Sequence, residues 1–178
     1  MNRFVLLDRD GVLVRDTDYP HRPEDYALLP GTIAALRRLA DAGYAFAIVT
    51  NQSGIGRGYY DEAAFRRFQQ LLLDDLAAGG VEIAATFHCP HRPDEGCGCR
   101  KPAPGLLYQA RDALGWPLSD TWLIGDHVRD TEAAQAAGCR GAILLAPPGS
   151  AVPEGVIRCD DLAAAAGYIL ARDRTPAA

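Results

Sequence analysis

Phe4-Val5-Leu6-Leu7-Asp8-Arg9-Asp10-Gly11 is the stretch that decides how the chain is read. Its apolar residues, too few for a helix, stop abruptly at two acids and a glycine. That is the pattern of a buried parallel strand delivering carboxylates to the end of a sheet. Asp8 and Asp10 are two apart, so while the chain stays extended their side chains share one side. Two carboxylates that close repel each other unless a cation lies between them or one keeps its proton. The pair implies either bound Mg²⁺ or a nucleophile beside a general acid. The plain alternative is an acidic turn that caps the next element, because Asp-x-Asp alone is common.

The same layout recurs outward from this stretch. Apolar runs predict strands over Tyr44 to Thr50, Val81 to Phe87, Thr121 to Ile124 and Ala142 to Leu145, with a short edge strand over Val156 to Arg158. Helical spacing lies between them: Ile33, Leu36, Leu39 and Ala40 after Pro30-Gly31, then Phe65, Phe68, Leu72 and Leu76 after a capping Asp61. Further helices are predicted from about Pro104 to Leu114, up to Ala137, and from near Asp160, with a frayed tail from Arg172. Strands alternating with helices predict one α/β domain over residues 1–178, built on a doubly wound, Rossmann-like parallel sheet. No large insertion interrupts it, so no separate cap domain is expected. Ligands of such sheets sit beyond the carboxyl ends of the strands. Asp8 and Asp10, Thr50 and Asn51, Arg100 and Lys101, and Asp126 and Asp130 all fall there.

Composition narrows the partners. The chain has 178 residues, 48% hydrophobic and 23% charged, with a net charge of −5 and no basic tract, which argues against nucleic-acid binding and leaves room for a small anionic substrate. The first residues enter a strand at once and no apolar run reaches membrane-spanning length, so a cytoplasmic protein without a membrane partner is expected. Three of the five cysteines lie between positions 89 and 99, a spacing that in the cytosol favours a metal over a disulfide framework. Cys89, His91, Cys97 and Cys99 offer three thiolates and one imidazole, a closed tetrahedral set suited to structural Zn²⁺. His88, at a strand end, suits that role less well than His91. Cys139 and Cys159 stand alone and read as packing residues.

The strand-end residues together meet the needs of phosphoryl transfer. A carboxylate, Asp8, can attack phosphorus. Mg²⁺ held by Asp8, Asp126 and the backbone carbonyl of Asp10 would cancel the repulsion between nucleophile and phosphate. Lys101 adds positive charge and Thr50 a hydroxyl donor on the phosphoryl oxygens. Asp10 can protonate the leaving alcohol and then deprotonate water. The polar stretch from Arg15 to Pro30, too long for a plain connection, reads as a substrate loop if it folds over the acids.

This set resembles the haloacid dehalogenase superfamily: Asp8-Arg9-Asp10-Gly11-Val12 as first motif, Thr50 as second, Lys101 as third, and Gly125-Asp126 with Asp130 as fourth. Within it, Thr50-Asn51-Gln52-Ser53-Gly54-Ile55-Gly56-Arg57-Gly58, the cysteine loop and Arg100-Lys101-Pro102 resemble the D-glycero-D-manno-heptose-1,7-bisphosphate 7-phosphatase family, from Phe4 to about Leu170. The resemblance implies hydrolysis of the 7-phosphate of a heptose bisphosphate through an aspartyl-phosphate, in the supply of nucleotide-activated heptose for surface polysaccharide. It implies contacts to the sugar phosphate from Asp16, Thr17, Asp18, Tyr19, Asn51, Gln52, Ser53, Arg57, Arg100 and His127, with Arg100 clamping the phosphate that is not cleaved. A monomer is expected. His127 departs from the family, whose members often carry lysine there, and the spacer between His91 and Cys97 is short. Histidinol-phosphate phosphatases share a short spacer but usually lack the Arg57-Gly58 pattern. A phospho-receiver domain would carry its acceptor on a middle strand rather than on strand one. A zinc-ribbon nucleic-acid binder conflicts with the acidic balance.

Overall fold

The computed structural model describes residues 3–174. Six strands form one parallel sheet: β1 (Arg3–Leu7), β2 (Tyr44–Asn51), β3 (Ile83–Cys89), β4 (Thr121–Gly125), β5 (Gly141–Leu145) and β6 (Ile157–Cys159), in the order β3-β2-β1-β4-β5-β6. The helices are α1 (Thr32–Asp41), the single turn α2 (Ser53–Gly56), α3 (Glu62–Ala78), α4 (Gly105–Leu114), α5 (Val128–Ala136) and α6 (Leu162–Arg174). Alternate residues of β1 feed two cores. Val5 and Leu7 pack with Leu36 of α1, Leu72 of α3 and Ile169 of α6, whereas Phe4 and Leu6 pack with Leu106 of α4 and Ala133 of α5. Helices therefore cover both faces, and the predicted doubly wound α/β sheet is observed. No helix among the described residues is long and apolar enough to cross a membrane.

Most strand ends move by one residue from the sequence reading, and β3 and α6 move further. β3 begins at Ile83 rather than Val81, because the Val81 N–H still donates to Leu76 O at the end of α3, 2.9 Å away. The strand instead runs on through His88 and Cys89, which places the first cysteine of the loop on the sheet. At the other end, α6 continues through Arg174, past the tail predicted from Arg172; positions 175–178 of that tail lie outside the described residues.

Two features bring the site together. β1 is flanked by β2 and β4, and the strand order reverses at β1, the position where such sheets open a crevice. Just past β1 the chain turns at Gly11, with φ of 78°. A Cβ there would lie 2.0 Å from Asp126 Oδ2, so only glycine lets the first loop approach the end of β4.

Candidate active site

The floor of the crevice is a buried ion network. Lys101 Nζ lies 3.2 Å from Asp8 Oδ1 and 2.7 Å from Asp130 Oδ1, and it donates to Val49 O at 2.7 Å. Neither lysine nor Asp130 has an exposed side chain. Burial alone would lower the Lys101 pKa, but the two carboxylates more than offset it and raise it. Asp8 moves the other way from an ordinary carboxyl: burial, opposed by Lys101 and reinforced by Asp130, Asp10 and Asp126, raises it from 3.8 to about 7. Asn51 fixes the lysine from behind. Its side chain donates to Lys101 O and accepts from Lys101 N, both at 3.0 Å. Thr50, also buried, lines the cavity above.

Asp10 is held by residues whose roles the sequence did not disclose. Arg9 grips it with two donors, Nε to Oδ1 at 2.8 Å and Nη2 to Oδ2 at 3.0 Å, and Gln52 Nε2 adds a third at 2.9 Å. The Arg9 guanidinium is buried, lies 4.7 Å from the Phe68 ring centroid, and also donates to Pro20 O in the polar stretch after β1. Gln52 donates in addition to Thr50 Oγ1 and accepts from Arg9 Nη2 and Tyr60 Oη. Its amide is thus fully used inside the protein, so the expected sugar contact becomes a brace between Thr50 and Asp10. Arg9, flanked by two acids, has no role assigned in the sequence reading. Its signal was a cation that had to be buried if both neighbours were.

The acids at the end of β4 fit Mg²⁺. The carboxylate oxygens of Asp126 and Asp130 and a ring nitrogen of His127 lie within 4.8 Å of one another. Asp130 is already engaged by Lys101 and by the His127 backbone N–H, at 3.0 Å. Burial raises the Asp126 pKa, against the neighbouring His127. A half-buried carboxylate facing other acids beside Gly11 is the donor chemistry a hard cation satisfies. The Asp8 side chain stands outside this tight group, and Asp10 and Asp126 both raise the cost of its charge.

The cysteine loop fits Zn²⁺ more closely. Cys89, His91 Nδ1, Cys97 and Cys99 contact one another at 3.2 to 3.6 Å. Ligands about 2.0–2.3 Å from a tetrahedral ion lie about 3.3–3.8 Å apart, so the cage has the right size. All three thiols are free of disulfides. Burial and mutual contacts raise Cys89 and Cys99, while Cys97, pushed up by burial but pulled down more strongly by the Arg100 backbone N–H and its thiol neighbours, falls to about 7. His88 is turned away to Glu62, 3.0 Å distant. The loop is pinned at both ends: Cys89 O accepts from Gln52 N, and Gly98 O accepts from Gly105 N at the start of α4. Of the two isolated cysteines, Cys159 packs in one core and Cys139 against the other.

The polar stretch does fold over the acids. The cavity, of about 230 Å³, is lined by Asp8, Asp10, Asp16, Asp18, Tyr19, Thr50, Asn51, Gln52, Ser53, Tyr60, Arg100 and Arg129. Asp18 and Tyr19 both sit in the left-handed region, with φ of 60° and 67°, a strained pair in a loop that reaches the site. Three expected contacts are not brought to the cavity. Thr17 and Arg57 are exposed and line no part of it, and His127 turns its ring to Asp126 Oδ1 at 2.8 Å. Tyr60 and Arg129 take part instead.

A buried aspartate–lysine pair at the strand ends of this doubly wound sheet, with a second aspartate two residues on, defines the class of haloacid dehalogenase-like hydrolases. The HAD-hydrolase-like family model matches residues 98–168. A Pseudomonas aeruginosa protein named D-glycero-beta-D-manno-heptose-1,7-bisphosphate 7-phosphatase is 41% identical over 173 residues, 94% of this chain and 97% of that one. A Photorhabdus laumondii protein named for the alpha substrate is 37% identical over 80% of this chain and 82% of its own length. The crystal structure of D,D-heptose 1,7-bisphosphate phosphatase from B. bronchiseptica, complexed with magnesium and phosphate, superposes with a TM-score of 0.87 at 36% identity, covering 96% of this chain and 99% of that one. The chain belongs to the D,D-heptose 1,7-bisphosphate phosphatase family of the haloacid dehalogenase superfamily.

Proposed function

We propose that the protein hydrolyses the 7-phosphate of D-glycero-D-manno-heptose 1,7-bisphosphate, leaving heptose 1-phosphate. The observation that carries this reading is the buried Asp8–Lys101 pair, 3.2 Å apart, beneath a cavity that opens onto arginines. Asp8 attacks the 7-phosphoryl group, and the bond from phosphorus to the sugar oxygen breaks. Lys101 and the Thr50 hydroxyl face the phosphoryl oxygens. Asp10 gives its proton to the leaving sugar oxygen, then takes one from the water that releases phosphate from Asp8. To give that proton it must first loosen from Arg9 and Gln52. Asp8, Asp126 and the Asp10 carbonyl would hold Mg²⁺, which when bound offsets the charge between carboxylate and phosphate. Cys89, His91, Cys97 and Cys99 would hold structural Zn²⁺, which when bound would help keep Arg100 and Lys101 in place.

Residues 1–178 act as one domain in this reading, as a cytoplasmic monomer that supplies nucleotide-activated heptose. The beta anomer is the proposed substrate, since relatives at 41%, 39% and 38% identity carry that name. The test is turnover of both heptose bisphosphate anomers and of histidinol phosphate by purified protein with Mg²⁺, followed by ³¹P NMR. Loss of the 7-phosphate signal with the 1-phosphate intact is expected, fastest on the beta anomer. Faster turnover of histidinol phosphate would replace the substrate assignment.

A further inference from the structure

We propose that Arg129 is a specificity-determining residue: with Arg100 it binds the phosphate of the substrate that is not cleaved. This deepens the function proposed above and rests on it.

The cavity is strongly one-sided in charge. Asp8, Asp10, Asp16 and Asp18 line it, and among its lining residues the cations are Arg100 and Arg129 alone. A sugar bisphosphate brings up to four negative charges to a chamber with four carboxylates. One end of the substrate is served by Lys101 in the floor. The other end needs its own cations, and these two guanidiniums are the candidates within the cavity wall.

Both arginines have donors to spare. Arg129 Nε is buried without a hydrogen-bond partner. An unsatisfied donor on a cation that lines the cavity is one a ligand can complete. Arg100 makes a single long bond, Nη1 to His91 O at 3.5 Å. A guanidinium is a planar fork of donors, and two of them suit the tetrahedral oxygens of a phosphate.

The position of Arg129 in its helix points the same way. It is the second residue of α5, at the positive end of the helix dipole, where acids are favoured and a cation is not. Helix stability does not select arginine there, and packing does not account for its free Nε. The neighbouring His127 is engaged with Asp126 and lies outside the cavity, so it is not placed to do the same work.

A competing role must be separated from this one. The Arg129 charge also favours ionised Asp126. If that were its purpose, substitution would disturb Mg²⁺ and the chemical step on every substrate alike. Binding the second phosphate instead predicts an effect confined to substrates that possess it.

The experiment compares wild type, Arg129→Gln and Arg129→Lys on heptose 1,7-bisphosphate and on heptose 7-phosphate, which lacks the second phosphate. Losing one charge-assisted contact should lower kcat/KM for the bisphosphate by about tenfold to a hundredfold, chiefly through KM. Arg129→Lys, which keeps the charge and loses the fork, should fall between wild type and Arg129→Gln. On heptose 7-phosphate the loss in Arg129→Gln should be far smaller than on the bisphosphate. Equal losses on both substrates, or no loss on either, overturn the proposal. Calorimetric binding of heptose 1-phosphate gives a readout without turnover and should weaken by a similar factor in Arg129→Gln. If wild type turned over neither heptose phosphate, the proposed function would fall, while unchanged heptose 1-phosphate binding in Arg129→Gln would independently overturn the role of Arg129.

Discussion

The floor and the rim of the crevice are built on opposite principles. In the floor, Asp8, Lys101, Asp130, Arg9 and Gln52 are buried, and each is tied to at least one other by an ion pair or hydrogen bond. In the rim, Asp16 and Asp18 are exposed and Arg100 and Arg129 keep donors unused. Low-dielectric surroundings make paired charges in the floor strong and hard to rearrange. Charges in the rim are left to complete themselves with a ligand. The floor is thus suited to fixing a reaction, and the rim to choosing what reaches it.

The zinc loop joins the two, and breaking it should have the largest effect. It carries Arg100 of the rim and Lys101 of the floor on consecutive positions directly after Cys99. Removing zinc should cost more than about tenfold in rate, since displacing catalytic groups by even an ångström can cost a hundredfold. Hydrogen exchange should rise over 89–102 while β1 and β4 stay protected. An unchanged rate in protein shown by metal analysis to be zinc-free contradicts the link.

Arg9 sharpens the comparison within the floor. Arg9→Lys keeps the charge but cannot hold both oxygens of Asp10 as a fork does. It should lower kcat by about tenfold with little change in KM, the signature of an interaction that matters in the transition state. A change confined to KM would move Arg9 from the floor's chemistry to substrate binding.

The smallest effect is on stability. Burial lifts the Asp8 pKa from 3.8 to about 7. Between those values the native state holds a proton that the unfolded chain has released. The contribution of Asp8 is therefore fully present below about pH 4, is lost as pH rises to about 7, and is flat beyond that. Zinc-loaded, magnesium-free protein should show this slope in Tm, and Asp8→Asn should lack it. Excess Mg²⁺ should flatten it by favouring the ionised carboxylate. An identical slope in Asp8→Asn contradicts the assignment.

The floor was easier to read from sequence than the rim, for a physical reason. Asp8 and Asp126 follow short strands, Thr50 lies at the end of one and Lys101 follows the cysteine loop, and strand ends converge by the geometry of the sheet. The alternation of Phe4 and Leu6 with Val5 and Leu7 likewise fixes two covered faces. Rim residues sit in loops without a period to place them. Thr17 stands between two lining residues, Asp16 and Asp18, and Arg57 between Ser53 and Tyr60 along the loop, yet both are exposed and outside the cavity wall. Gln52 lines the cavity as expected, but a glutamine's type does not reveal that Arg9, Asp10, Thr50 and Tyr60 also engage its amide. Arg129 was passed over because its neighbours Asp126 and Asp130 drew the reading; a cation in the first turn of α5 was the signal available.

The floor fixes the reaction through Asp8. Borohydride reduces an acyl phosphate on aspartate to homoserine. Wild-type protein quenched with borohydride during turnover of heptose 1,7-bisphosphate, then digested and sequenced by mass spectrometry, should carry homoserine at position 8 and aspartate at position 10. Asp8→Asn should show no homoserine and no turnover. An unmodified Asp8 in actively turning-over enzyme, or homoserine at position 10, would contradict the assignment of Asp8 as the nucleophile.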